Sequence, residues 1–258
     1  MKKTAILLAA VLTFSLAACS KTTTSSSGAG SSSETSSSSV STSSSSSEVS
    51  SSEPTKEATI AEMVAAGSVD GQTYTNSILG ITYTMPEGWV VDNPEDTLSG
   101  QLERLAQTQG QEVADSNKKN IDSGYMGYLF YTSTTDETET SNILLQIASE
   151  EMIGDASPVD YANTLADAFE EGYKQFGIEA KVDEAEKINV NGHEIAVASV
   201  QVVMDGLING IEFDNYHVSQ AYSIYTTNGA VVVAMLSAFS DEDLEAGLNT
   251  LKNVSFAS

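Results

Sequence analysis

The 258-residue chain holds one cysteine, one tryptophan, two histidines and four prolines, and its 11 basic residues face 36 acidic ones. Each shortage excludes something. A single thiol, Cys19, can form no internal disulfide, and an odd cysteine in an exported chain needs another explanation. A net charge of −25 repels nucleic acid and anionic lipid, so binding to nucleic acid is not expected. The chain lacks HExxH, a Walker A loop, a dinucleotide fingerprint, a GxSxG elbow and an EF-hand loop, which removes the commonest catalytic and cofactor signatures.

What remains of chemistry is sparse. Ser116 and Lys119 form an SxxK and Tyr161 with Asn163 a YxN, pairs used by penicillin-binding enzymes, but no KTG follows and the SxxK lies in SNKKN, read here as a polar loop. His193 follows a tight turn. His217 lies near Glu212 and Asp214, yet alternate strand residues swap faces, so one strand does not converge all three on a metal. The acidic turn DETET, 136–140, reads as a solvated loop. No catalytic residue, metal or cofactor is expected.

The N-terminus is richer in information. After MKK comes an uncharged, largely apolar run from Ala5 to Ala18, too short for the roughly 20 apolar residues of a membrane-spanning helix. With its basic start it reads as a secretory signal peptide, residues 1–18. Leu16, Ala17, Ala18 and Cys19 form LAAC, which resembles the lipobox of bacterial lipoproteins. That resemblance implies cleavage before Cys19 and lipidation of its thiol, hence palmitate incorporation and anchoring on the extracytoplasmic face of a bacterial membrane. From Ser20 to Lys56 the chain is dominated by serine, with Val40 and Val49 almost its only apolar side chains, a composition that does not offset the entropy of ordering. Residues 19–56 are therefore expected to be a disordered linker, with a coil dimension of about 35 Å and an extended limit of about 125 Å.

Residues 57–258 read as one α+β domain. Three acidic and four basic residues precede position 57, which leaves 33 acidic against seven basic in the domain. A short helix is expected over Ala58 to Ala66, an extended piece at Gln72 to Thr75, and an opening strand whose Ile81, Tyr83 and Met85 share one face. Asn93 and Pro94 read as a helix cap and first turn ahead of Leu98, Leu102 and Leu105, with Gly110 as the stop. A polar loop with Lys118 and Lys119 leads to a strand with Tyr125, Tyr128 and Phe130, paired with Asn142 to Ala148. The clearest helix runs from Ser157 to Gly177. A meander follows, turning at Asn191-Gly192, near Asn209-Gly210 and at Asn228-Gly229, and a last helix is capped by Ser240. Trp89 is read as a core plug rather than a recognition platform.

The stretches LGITYTMPEGW (79–89), the helix from Ser157 and VVVAMLSAFSDEDLEAGLNTLKNVSF (231–256) resemble the PsbP-like fold, named for an extrinsic protein of photosystem II. The resemblance implies a central antiparallel sheet flanked by helices, an α/β/α sandwich, and relatives that act mostly by binding and assembling partners. The chain is also similar to uncharacterised lipoproteins of Gram-positive bacteria with the same signal, serine tether and glycine-tryptophan strand end. The expected function is a lipid-anchored, non-catalytic binding module for a protein or envelope component. The alternatives are a small-ligand-binding lipoprotein and, behind it, an envelope hydrolase. The candidate binding surface is an open sheet face carrying Tyr125, Tyr128, Tyr216 and Tyr222, since a tyrosine packs its ring while keeping its hydroxyl wet.

Overall fold

The computed structural model describes residues 58–257, apart from positions 93, 109, 136–139, 176 and 209–210. Cys19, the signal and the linker therefore lie outside the described residues, as do the Asn93 cap, most of the acidic turn and the Asn209-Gly210 turn.

Two sheets make the frame. A seven-stranded antiparallel sheet has the order β4-β5-β6-β10-β9-β8-β7, and a small one the order β1-β2-β3-β11. The large sheet is built from β4 (Val90–Asp92), β5 (Met126–Ser133), β6 (Asn142–Ser149), β7 (Glu179–Val190), β8 (His193–Ile208), β9 (Ile211–Thr227) and β10 (Ala230–Ala238). The small one comprises β1 (Gly67–Asp70), β2 (Thr73–Asn76), β3 (Ile81–Thr84) and β11 (Ser255–Phe256). Among the described residues five α-helices accompany them: α1 (Ile60–Ala65), α2 (Pro94–Thr108), α3 (Gln111–Asp122), α4 (Pro158–Gln175) and α5 (Asp241–Lys252).

The large sheet is covered on both faces, which is why β10 reads AVVVAMLSA with every residue buried instead of alternating. On one face α4 lays Tyr161, Leu165, Phe169 and Tyr173 against Tyr222, Val231 and Val233, with Leu98 of α2 and Ile121 of α3 at the margin. Phe169 stacks on Tyr222 with ring centroids 4.8 Å apart. On the other face the small sheet, α1 and α5 pack Tyr74, Ile81, Tyr83, Trp89 and Leu251 against Phe130, Leu145, Tyr225 and Val232. There the Tyr83 hydroxyl donates to the Tyr225 hydroxyl at 3.0 Å, joining the two sheets through the core. Burial pushes both phenols well above their ordinary range.

The expected α+β class with a central antiparallel sheet holds, and the shared face of Ile81, Tyr83 and Met85 is fully buried. Two expectations are corrected. The strand over Ile81–Thr84 does not open the central sheet; it belongs to the small one, held by β2 and by the last strand, β11. The stretch with Ser116, Lys118 and Lys119 is a helix, α3, and not a polar loop. Its inward positions are Ala114 and Asn117, and the Asn117 amide donates to Val113 O, so the helix buries a polar residue where a sequence pattern looks for an apolar one.

Candidate functional site

Among the described residues, a depression suited to binding lies where β5 begins. β4 pairs only with Tyr131–Ser133 of β5, because at Pro94 the chain leaves the sheet and starts α2, where proline suits a first turn and cannot continue a ladder. The earlier part of β5 thus has a strand on its β6 side alone among the described residues. Tyr125 gives its carbonyl to Ser149 N at 3.0 Å, toward β6. Backbone groups alternate in an antiparallel ladder, so the N–H and C=O of Met126 and Tyr128 point away from β6, to the open side. A bulge at Leu129 ends this run, and both Leu129 and Phe130 turn into the core beneath the small sheet.

Helices wall this open edge. On one face α1 contributes Ile60, Ala61, Val64 and Ala65; on the other, α2 and α3 contribute Leu98 and Ile121. Met126, Gly127 and Tyr128 form the floor of a groove of about 660 Å³, within the range of small-molecule and peptide sites. Among the described residues no charged side chain lines it, in a domain with 33 carboxylates. The α1 wall is placed firmly despite its six residues. Thr59 and Glu62 form a capping box, Asn76 donates to Met63 O at 2.7 Å, and Ile60 and Met63 are buried. Gly127 sets the closeness of that wall: a Cβ there would sit 2.5 Å from Val64 Cγ2, so only glycine lets α1 rest on the strand backbone.

A second depression, of about 500 Å³, lies at the Pro86–Trp89 corner beside α5. Gly88, with φ +83°, makes the turn, and Trp89 goes into the core at 5% exposure, as its reading as a plug expects. Carboxylates of Glu87, Glu242 and Asp243 line the crevice. Its polar groups are largely engaged with the fold. Asp243 accepts from Ser141 Oγ at 2.7 Å, and Thr250 Oγ1 donates to Thr84 O at 2.9 Å.

The four candidate tyrosines do not share one surface. Tyr125 is 53% exposed and directly precedes the groove floor, and Tyr128 is buried within that floor, where desolvation pushes its phenol up to about 12. Tyr222 is wholly buried under α4, donating to Gln220 Oε1, and Tyr216 packs half-buried against Phe239. Tyr125 and Tyr128 are thus neighbours at the start of β5, while Tyr128, Tyr216 and Tyr222 all belong to the core on the α4 side. Ile60, Val64, Leu98 and Ile121 were not marked by the sequence, since each reads as an ordinary apolar position of a helix.

The other expectations find structural uses. Ser116 and Lys119 are exposed on α3, while Tyr161 is buried in α4 and Asn163 accepts from Ala185 N, so no nucleophile arrangement forms from them. His193 stacks on Phe256 at 3.9 Å, and His217 is exposed. Among the described residues no three His, Cys, Asp or Glu side chains are grouped as metal ligands, and no helix is long and apolar enough to cross a membrane.

No protein-family model matches the chain, and no curated protein matches it. Similar solved structures include cyanobacterial PsbP from Synechocystis sp. PCC 6803, at 14% identity and a TM-score of 0.42, covering 74% of this chain and 99% of that one. Another is LpqN of Mycobacterium tuberculosis, involved in cell envelope biogenesis, at 14% identity and a TM-score of 0.36, covering 79% and 99%. The fold class stands on the strand order and layers described above; likenesses this distant carry no function across.

Proposed function

We propose that the chain is a cell-surface lipoprotein whose extracytoplasmic domain is a non-catalytic module that binds a protein or envelope component. The observation that carries this reading is the uncharged groove at the open start of β5, walled by α1, α2 and α3. Apolar walls around unpaired backbone groups form a binding surface, and they supply neither a nucleophile nor a base. The LAAC sequence supports attachment of a lipid to Cys19. A diacylglyceryl group there gives stable anchoring, whereas a single chain holds only marginally. The partner meets the domain outside the membrane, at the reach that Ser20 to Lys56 allow.

The anchor is tested by labelling cells with palmitate. Wild-type chain takes up label and stays in the membrane fraction, and Cys19→Ser loses both; a labelled, membrane-bound Cys19→Ser overturns the reading. Binding is tested by crosslinking from a photoreactive residue placed at Ala61, exposed on the groove wall. A specific adduct in the native envelope, absent when the same residue replaces Asn249 at the acidic crevice, is the expected result. The groove's size also favours a second reading, a lipoprotein for a small apolar ligand, which a thermal-shift screen of small molecules distinguishes.

A further inference from the structure

Walls alone do not select an occupant; the floor does. At Met126 and Tyr128 the backbone turns its N–H and C=O into the groove, with no strand opposite them among the described residues. A buried polar group left without a partner is costly, so an occupant that covers this floor must supply donors and acceptors at strand spacing. An aliphatic chain has none. An extended peptide has both, and its side chains alternate between the two faces, one set toward Ile60 and Val64 and the other toward Leu98 and Ile121.

We infer that the groove takes an extended segment of a partner protein as an added strand on β5, with apolar side chains on both of its faces and no acidic residue in the paired stretch. This inference rests on the reading of the domain as a binding module and names the chemistry of its partner. Two other occupants fit poorly. The chain's own Ser20 to Lys56 offers almost no apolar side chain beyond Val40 and Val49 to fill the walls. A second copy of the domain would bring 33 carboxylates against 33, which mutual repulsion disfavours.

The test uses the full chain in phosphatidylcholine nanodiscs and a phage library of random heptapeptides. Enriched peptides are expected to carry apolar residues at successive positions and to lack Asp and Glu. Ala65→Trp, an exposed position whose indole would fill the groove, is expected to weaken them at least tenfold. N-methylation of the alternate amides that face β5 is expected to do the same, while methylation of the intervening amides leaves binding within twofold. The inference is overturned if no peptide is enriched, if enriched peptides bind Ala65→Trp unchanged, or if every amide tolerates methylation. It is also overturned if sodium dodecanoate occupies the groove more tightly than every enriched peptide. Peptides that bind elsewhere on the domain sink the groove assignment and leave the binding-module reading standing. Failure of the palmitate experiment bears on the anchor alone.

Discussion

The two depressions are similar in size and opposite in character. At the Trp89 corner the walls are acidic, and Asp243 and Thr250 are tied into the fold, to Ser141 and to the Thr84 carbonyl. At the start of β5 the walls are uncharged and Met126 and Tyr128 pair with β6 alone, with no second strand opposite them among the described residues. The crevice is where a corner packs against a helix. The groove is where a buried stretch of sheet edge is left without a second strand among the described residues, because α2 begins at Pro94 before β4 has run the length of β5. Volume does not separate them; wall charge and a strand paired on one side only do.

Conditions and substitutions should pull these regions apart or bring them down together. The largest effect is expected from alkali. Tyr128 in the groove floor and Tyr83, beside the crevice residue Thr84, are both held above the ordinary phenol range by burial, and Tyr74 is pushed up to about 12. Their folded values exceed the unfolded value near 10. Stability is therefore intact below pH 10 and falls as pH rises through 10 to 12, by about 1.4 kcal/mol per pH unit for each such tyrosine. Both depressions should vanish in one cooperative transition, seen as a sudden rise in tyrosinate absorbance coincident with loss of far-UV dichroism. A gradual titration with the fold intact would contradict this.

Trp89→Ala comes next and distinguishes the regions. It removes a buried aromatic and should cost about 3–5 kcal/mol in urea unfolding, with peptide affinity at the groove unchanged in the fraction that remains folded. Thr59→Ala should cost about 1 kcal/mol by breaking the capping box of α1, and because α1 is a groove wall it should weaken groove binding without altering the corner. Ala65→Trp is expected to change stability by less than about 0.5 kcal/mol, as exposed substitutions do, while abolishing groove binding. If Trp89→Ala lost the peptide and Ala65→Trp kept it, the assignment of roles would be reversed.

Much of the frame was legible in the residues. Ser240 caps α5 by accepting from Asp243 N, and Asn228-Gly229 turns between β9 and β10 with both residues at positive φ. Trp89 is in the core because Pro86 and Gly88 bend the chain inward, which a reading of the local sequence anticipates. α3 was missed because its inward face is Ala114 and Asn117 with Ile121 at the margin, too polar to register as a stripe. The small sheet was missed because its strands are two to four residues long and β11 closes it from the other end of the chain. The tyrosines misled for a related reason. Strands covered on both faces lose their alternation, so Tyr222 reads like a surface residue and is wholly buried. Of the groove only Tyr128 was legible, since α1, α2, α3 and the rest of β5 give it residues that look like ordinary core.

The most direct measurement is amide hydrogen exchange along β5 in the full chain. The Met126 and Tyr128 amides should exchange much faster than the Gly127 amide, which faces β6, and should become at least tenfold slower when a groove-binding peptide is saturating. Met126 and Tyr128 amides already as protected as Gly127 in the free protein, or unmoved by a bound peptide, would contradict the open edge on which the account rests.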